Sequence, residues 1–162
     1  MVKREVRVGI AESAVVFSPD KIITLGLGSC IGIALYDSEK KVAGLVHIML
    51  PDSKQFKNIS NPLKYADLGI EDLLKKMIKL GCRKDKIVAK IAGGASMFNF
   101  SDKNIVSDIG KRNARASIEK IKALSIPLIS EDTGGNKGRT MILESEDGSV
   151  FIKSIGSEIK KL

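Results

Sequence analysis

Cys30 closes the segment Gly26-Leu27-Gly28-Ser29-Cys30 and leads straight into the apolar run Ile31-Gly32-Ile33-Ala34-Leu35-Tyr36. Glycines let a backbone turn sharply and leave amide N–H groups uncovered. Amides of that kind can stabilise an oxyanion beside a nucleophile. The thiolate is the reactive form of cysteine, so a base is needed close by. The chain has one histidine, His47, in the strand-like run Gly44-Leu45-Val46-His47-Ile48-Met49-Leu50. Adjacent antiparallel strands would bring Cys30 and His47 side by side near the strand ends. Thr24 could donate to or accept from the imidazole and so fix its tautomer. Cys30, His47 and Thr24 therefore form a candidate nucleophile, base and orienting hydroxyl. The same residues also fit a small core cysteine and a satisfied structural histidine, and Gly-Ser-Cys alone does not separate the two.

Other segments offer less chemistry. Cys82 follows Gly81 and precedes Arg83-Lys84-Asp85, and reads as a structural thiol. One histidine and two cysteines are too few soft ligands for a zinc site, so neither metal nor cofactor is expected. Gly93-Gly94-Ala95-Ser96 and Gly134-Gly135-Asn136 could hold phosphate through their amides, but tight turns explain them more simply. Arg112 and Asn113 would bind substrate or secure a loop.

The elements that must position these residues follow from periodicity. Val6–Ile10, Ala14–Phe17, Ile22–Leu25, Ile31–Tyr36 and Val42–Leu50 read as strands, with Ser18-Pro19-Asp20 and Asp37-Ser38-Glu39-Lys40 as turns. Residues 52–61 read as a loop. Asn61-Pro62 has the form of an N-cap followed by proline at the first helical position. Leu63, Ala66, Ile70, Leu73, Leu74 and Met77 share a helical face that stops near Leu80-Gly81. Gly69 weakens that helix by about 1 kcal/mol. Ile87–Ala92 is a buried-strand pattern. A second helix spans Asp108 to about Leu124, with Ala114, Ile118 and Ile121 on its apolar face. Pro127–Ser130, then Arg139–Glu144 and Ser149–Ile155 around Glu146-Asp147-Gly148, complete an α+β pattern with strands at both ends.

The chain has 162 residues, 43% hydrophobic and 28% charged. Those values predict one globular domain over residues 1–162 and exclude disorder as the main reading. No apolar run is long enough to span a membrane, and Met1–Arg7 lacks the apolar core of a signal peptide. With two cysteines, the expectation is a reduced protein in the cytoplasm. Lys and Arg number 27 against 19 Asp and Glu, a formal net charge of +8. Aromatic residues make up only 4% and tryptophan is absent, so the stacking platforms of single-strand nucleic-acid binders are missing. The charge reads as a solvated lysine-rich surface or a match to an acidic protein partner. No amphipathic segment is left over after the core is assigned, so a monomer is expected.

Several blocks occur in order along the chain: Thr24-Leu25-Gly26-Leu27-Gly28-Ser29-Cys30, His47-Ile48-Met49-Leu50-Pro51, Lys64-Tyr65-Ala66-Asp67, Lys90–Met97, Ile109-Gly110-Lys111-Arg112-Asn113 and Glu131–Arg139. Together they closely resemble the chemoreceptor glutamine deamidase family CheD. The resemblance implies Cys30 as nucleophile, His47 as general base and Thr24 as assisting threonine. It makes the amides of Gly28, Ser29 and Ile31 candidates for holding the oxyanion or substrate. It implies a three-layer α/β/β sandwich with mixed or antiparallel sheets and two main helices, similar to the catalytic domains of cytotoxic-necrotizing-factor-type deamidating toxins. It further implies conversion of receptor glutamines to glutamate through a thioester, with hydrolysis of receptor glutamyl methyl esters in some members. The implied partners are methyl-accepting chemotaxis receptors and CheC, a phosphatase of the response regulator CheY. An adaptor with a vestigial Cys-His pair is the main alternative, and a general cysteine amidase or peptidase a second. The chain lacks the Cys-Gly-Ser/Ala-Cys-Trp/Tyr signature of papain-like enzymes.

Overall fold

The computed structural model describes residues 2–96 and 108–162. Met97, the end of one quoted block, lies outside them. The first third forms β1 (Glu5–Val8), β2 (Ser13–Phe17), β3 (Lys21–Leu27), β4 (Ile31–Asp37) and β5 (Val42–Ile48). Helix α1 (Ala66–Lys79), β6 (Ile87–Gly93) and helix α2 (Ile109–Ala123) follow. The chain then runs through β7 (Leu128–Thr133), β8 (Arg139–Glu144), β9 (Val150–Lys153) and the short β10 (Lys160–Lys161).

The strands make two 5-stranded sheets, β1-β3-β8-β9-β10 and β2-β5-β4-β6-β7. Both are mixed: β1–β3 and β6–β7 are parallel pairs and the other pairs are antiparallel. The helices cover one face of the second sheet and the first sheet covers the other. This is an α+β fold in three layers, as the sequence pattern and the resemblance led us to expect.

Strands β4 and β5 are buried along their whole length because they lie between two layers. Side chains alternate between the faces. Ile31, Ile33, Leu35, Val46 and Ile48 pack against Ile70, Leu73 and Met77 of α1. Each such fully buried side chain stabilises the fold by about 1.5–3 kcal/mol. Ala34, Tyr36, Ala43 and Leu45 face the first sheet, among Ile22, Leu27, Met141 and Leu143. By the same alternation Gly32 and His47 also face the first sheet.

Some local expectations need correction. Asn61 does accept from Leu63 N at 3.0 Å, but it caps a 3-10 turn over Pro62–Lys64 rather than α1. Leu50 bridges Tyr65 in parallel, and Ala66 N donates to Leu50 O at 2.9 Å. That pairing keeps Tyr65 extended and delays the helix to Ala66. A second 3-10 turn, Ser53–Gln55, interrupts the expected loop. Gly69 is explained by close packing, since a Cβ there would lie 2.9 Å from Ile48 Cγ2. The fully buried residues of α2 are Gly110, Asn113, Ser117 and Ile121, so small and polar residues lie beside the expected apolar face, on which Ala114 and Ile118 pack against the core. Those two are only partly buried. The strand β10 was not anticipated. Among the described residues no helix is long and apolar enough to cross a membrane.

Candidate active site

His47 is fully buried between the two sheets. Its backbone bonds go to the loop before β2, with His47 N donating to Glu12 O at 3.1 Å and His47 O accepting from Ala11 N at 2.8 Å. Its ring points at β3 of the other sheet, where Thr24 Oγ1 lies 2.7 Å from Nδ1. Thr24 Oγ1 also donates to Val8 O at 2.7 Å. A hydroxyl has one proton to give. Since that proton goes to Val8, the threonine oxygen must accept from Nδ1–H. The imidazole is thereby held in the Nδ1–H tautomer with a bare lone pair on Nε2. Burial disfavours imidazolium and pushes the His47 pKa down to about 4.

Cys30 lies one residue ahead of β4. Gly32 pairs directly with His47 across β4 and β5. Cys30, two residues earlier on the same face, is the diagonal neighbour of His47, and its side chain packs against the inter-sheet core. Such diagonal pairs stand roughly 7–8 Å apart at Cα. The register thus brings both residues to one end of one layer, but not into hydrogen-bond contact: among the described residues His47 Nε2 has no partner. Burial raises the Cys30 thiol pKa above its ordinary value, partly offset by the residue's own backbone N–H. The resting pair is a neutral thiol and a neutral imidazole.

The loop before β4 is held from behind. Ala95 N donates to Gly28 O at 2.8 Å and Gly94 N to Cys30 O at 2.9 Å. Asn113 Nδ2 donates to Ser29 O at 2.9 Å and to Met49 O at 3.1 Å. These bonds sort the oxyanion candidates. Gly28 N is spent on Gly26 O at 3.0 Å. Ile31 is paired with Ile48. His47 turns its own N–H and C=O to the β2 side, so the alternation of the ladder gives the Ile31 amide to Ile48. Of the four amides from Gly28 to Ile31, those of Ser29 and Cys30 have no backbone acceptor among the described residues. The amides of Gly28 and Ile31 are thus occupied within the fold, and those of Ser29 and Cys30 are open.

The two glycine segments considered for phosphate are used internally. Gly134 N donates to Gly93 O at 3.0 Å and Ser96 N to Gly135 O at 2.8 Å. Arg139, to which sequence reasoning attached no role, donates to Gly93 O at 3.1 Å and Gly134 O at 2.7 Å and pairs with Asp132 at 3.4 Å. Nothing in a lone arginine after a glycine turn marks it as a clamp. Among the described residues Arg112 hydrogen-bonds the exposed Gln55, at 3.5 Å. Cys82 is buried and its thiol is pushed up to about 11, by desolvation first and by Asp37 second. Among the described residues no three His, Cys, Asp or Glu side chains cluster to hold a metal ion.

Residues 49–154 match the family described as CheD chemotactic sensory transduction. A Clostridium botulinum protein (strain Hall) named "Probable chemoreceptor glutamine deamidase CheD" is 61% identical over 159 residues, 98% of each chain. The chain belongs to the CheD family. A Clostridium novyi (strain NT) protein of the same name is 60% identical over 162 residues, 100% of both chains. The CheD family match begins just after His47, and both full-length CheD relatives span the preceding segment as well. Among solved structures, the Bacillus licheniformis hypothetical protein YfiH aligns with 75% of this CheD chain and 49% of its own, at 14% identity and a TM-score of 0.44.

Proposed function

We propose that this protein deamidates side-chain glutamines of chemoreceptors, with Cys30 as nucleophile and His47 as general base. The observation that carries the reading is the tautomer lock: Thr24 accepts from Nδ1–H and leaves Nε2 bare on the face that bears Cys30. The names of the full-length relatives support the substrate class. A formal charge of +8 suits an acidic receptor surface.

In the proposed cycle Nε2 takes the Cys30 proton as sulfur attacks the carboxamide carbon. Hydrogen bonds of this kind are commonly long without substrate and tighten on binding, which suits the open Cys30–His47 gap. The Ser29 and Cys30 amides hold the oxyanion. The C–N bond then breaks, and Nε2–H gives its proton to the departing ammonia. Water, deprotonated by His47, attacks the thioester; the C–S bond breaks and the sulfur regains its proton. Glutamate is left on the receptor. A glutamyl methyl ester would follow the same path with methanol as leaving group. From the family resemblance we also read binding and stimulation of CheC; cysteine usage is the ground for a cytoplasmic location, and the want of a spare amphipathic segment the ground for a monomeric state.

The test is intact-peptide mass spectrometry of a cognate receptor cytoplasmic fragment incubated with the protein. Gln-to-Glu mass gains with an uncut backbone and released ammonia are expected. Backbone cleavage, or no gain by the folded protein, overturns the reading.

Thr24→Val should leave the His47 Nδ1–H and the Val8 carbonyl without their shared partner, and free the ring to take the other tautomer. We expect kcat to fall by about 10- to 100-fold with KM little changed. Thr24→Ser should restore most of it. An equal loss in both variants would remove the hydroxyl from its role.

The resting protonation states make a further prediction. Because His47 is neutral above about pH 4 and the Cys30 thiol is raised, iodoacetamide should alkylate Cys30 slowly at neutral pH. The rate should keep climbing as pH rises through and beyond the ordinary thiol range. A thiolate–imidazolium pair would instead give a plateau from mildly acidic pH upward, and such a plateau would refute the neutral resting state.

A further inference from the structure

Asn113 reaches both halves of the candidate site from α2. One Nδ2 hydrogen goes to Ser29 O, directly before Cys30, and the other to Met49 O, two residues past His47. The side chain is fully buried, so water does not compete for these bonds. Reversing the amide would set its oxygen against two carbonyl oxygens, which fixes its orientation.

In a trans peptide the C=O of one residue and the N–H of the next point in opposite directions. Holding the Ser29 carbonyl towards α2 therefore turns the Cys30 N–H away from α2. That amide has no backbone acceptor among the described residues, so it is open to the oxygen of a carbonyl attacked by the adjacent Cys30 sulfur. Gly28 O and Cys30 O are held by the backbone amides of Ala95 and Gly94. Among the described residues, of the three consecutive carbonyls only that of Ser29 is held by a side chain. The bond to Met49 O ties the same loop to the end of β5, so the Cys30 amide keeps its bearing relative to His47.

We propose that Asn113 is a positioning residue for the tetrahedral intermediate, aiming the Cys30 amide at the oxyanion by holding the Ser29 carbonyl. The inference rests on the deamidation reading above. It predicts an effect on the step that builds the oxyanion, not on substrate binding or on the intrinsic reach of the thiol.

The test compares receptor-fragment deamidation with iodoacetamide alkylation of Cys30, which displaces iodide and builds no oxyanion. Losing one well-placed oxyanion donor outright costs about 10²–10³ in kcat, so a misaimed donor in Asn113→Ala should cost about 10- to 100-fold. KM and the alkylation rate should stay within about twofold. Asn113→Asp keeps the volume and answers if the alanine variant does not fold. Its neutral acid can donate one hydrogen bond, whereas its carboxylate would face two carbonyl oxygens. Its kcat relative to wild type should therefore be best at acid pH and decline as pH rises through the carboxyl pKa, which burial raises. Wild-type kcat in Asn113→Ala, parallel loss of kcat and alkylation, or a pH-independent ratio in Asn113→Asp each overturns the inference. Failure of the wild-type protein to convert any glutamine overturns the deamidation reading, and this inference with it.

Discussion

Replacing Cys30 by alanine should end glutamine conversion, and replacing it by serine should lower kcat/KM by about 10³-fold or more. The alanine result follows from losing the atom that bonds to the carboxamide carbon. The serine result follows from the partner. Burial holds His47 near pH 4, which makes it a weak base. It can serve a thiol because sulfur is intrinsically nucleophilic and its proton is comparatively easy to remove. An alcohol is a far weaker acid, and the same imidazole cannot close that difference. Serine is close to cysteine in size and Cys30 is only half-buried, so the fold should survive. Thermal melting within a few degrees of wild type, with ammonia release at background, is the expected pair of readings. Retention of a tenth of the activity in Cys30→Ser would remove Cys30 from the nucleophile's role.

Gly93→Ala should give the largest loss of stability among substitutions around the site. Gly93 has φ +117, and a Cβ would stand 2.1 Å from Cys30 O, 3.2 Å from Cys30 C and 3.3 Å from Ile31 Cα. These neighbours are backbone atoms, so no side-chain rotation relieves the clash; the strands must part. Strain plus displacement should cost about 3 kcal/mol or more, a fall in Tm of roughly 6–12 °C for a chain of this size. Activity should fall as well, because the carbonyl pushed aside belongs to Cys30. Gly81→Ala is the control. It has φ +102 with nothing within 4 Å of its Cβ, so it carries backbone strain alone, about 1 kcal/mol. Equal losses at the two positions would show that the contact with Cys30 does not matter.

Much of this architecture was legible in residue order. The apolar run from Ile31 reads as a strand, and the pairing of β4 with β5 places Cys30 and His47 on one face by period alone. The hairpin of β8 and β9 is readable from Glu146-Asp147-Gly148. What escaped depended on partners distant in sequence. The start of α1 is set by the bridge between Leu50 and Tyr65, which local capping chemistry at Asn61 does not foresee. The buried polar face of α2 shows as small and polar residues at Gly110, Asn113 and Ser117, one helical face apart, but a search for apolar periodicity passes over it. The amides open to an oxyanion could not be read from glycine content, because what frees or consumes each one is an acceptor elsewhere in the fold.

The ties behind the loop before β4 have a consequence for the timing of activity during synthesis. Thr24, Cys30 and His47 all leave the ribosome within the first third of the chain. The groups that hold their loop come much later: Gly94 and Ala95, then Asn113, then Arg139 gripping Gly93 and Gly134. Contacts of such long sequence separation form late, after the intervening chain is available. On the proposed mechanism, a nascent chain therefore carries the thiol and the imidazole without the arrangement that would make them act on a neighbouring glutamine. Competence should then arrive with completion of the fold, and a chain truncated before Asn113 should release no ammonia from a receptor fragment.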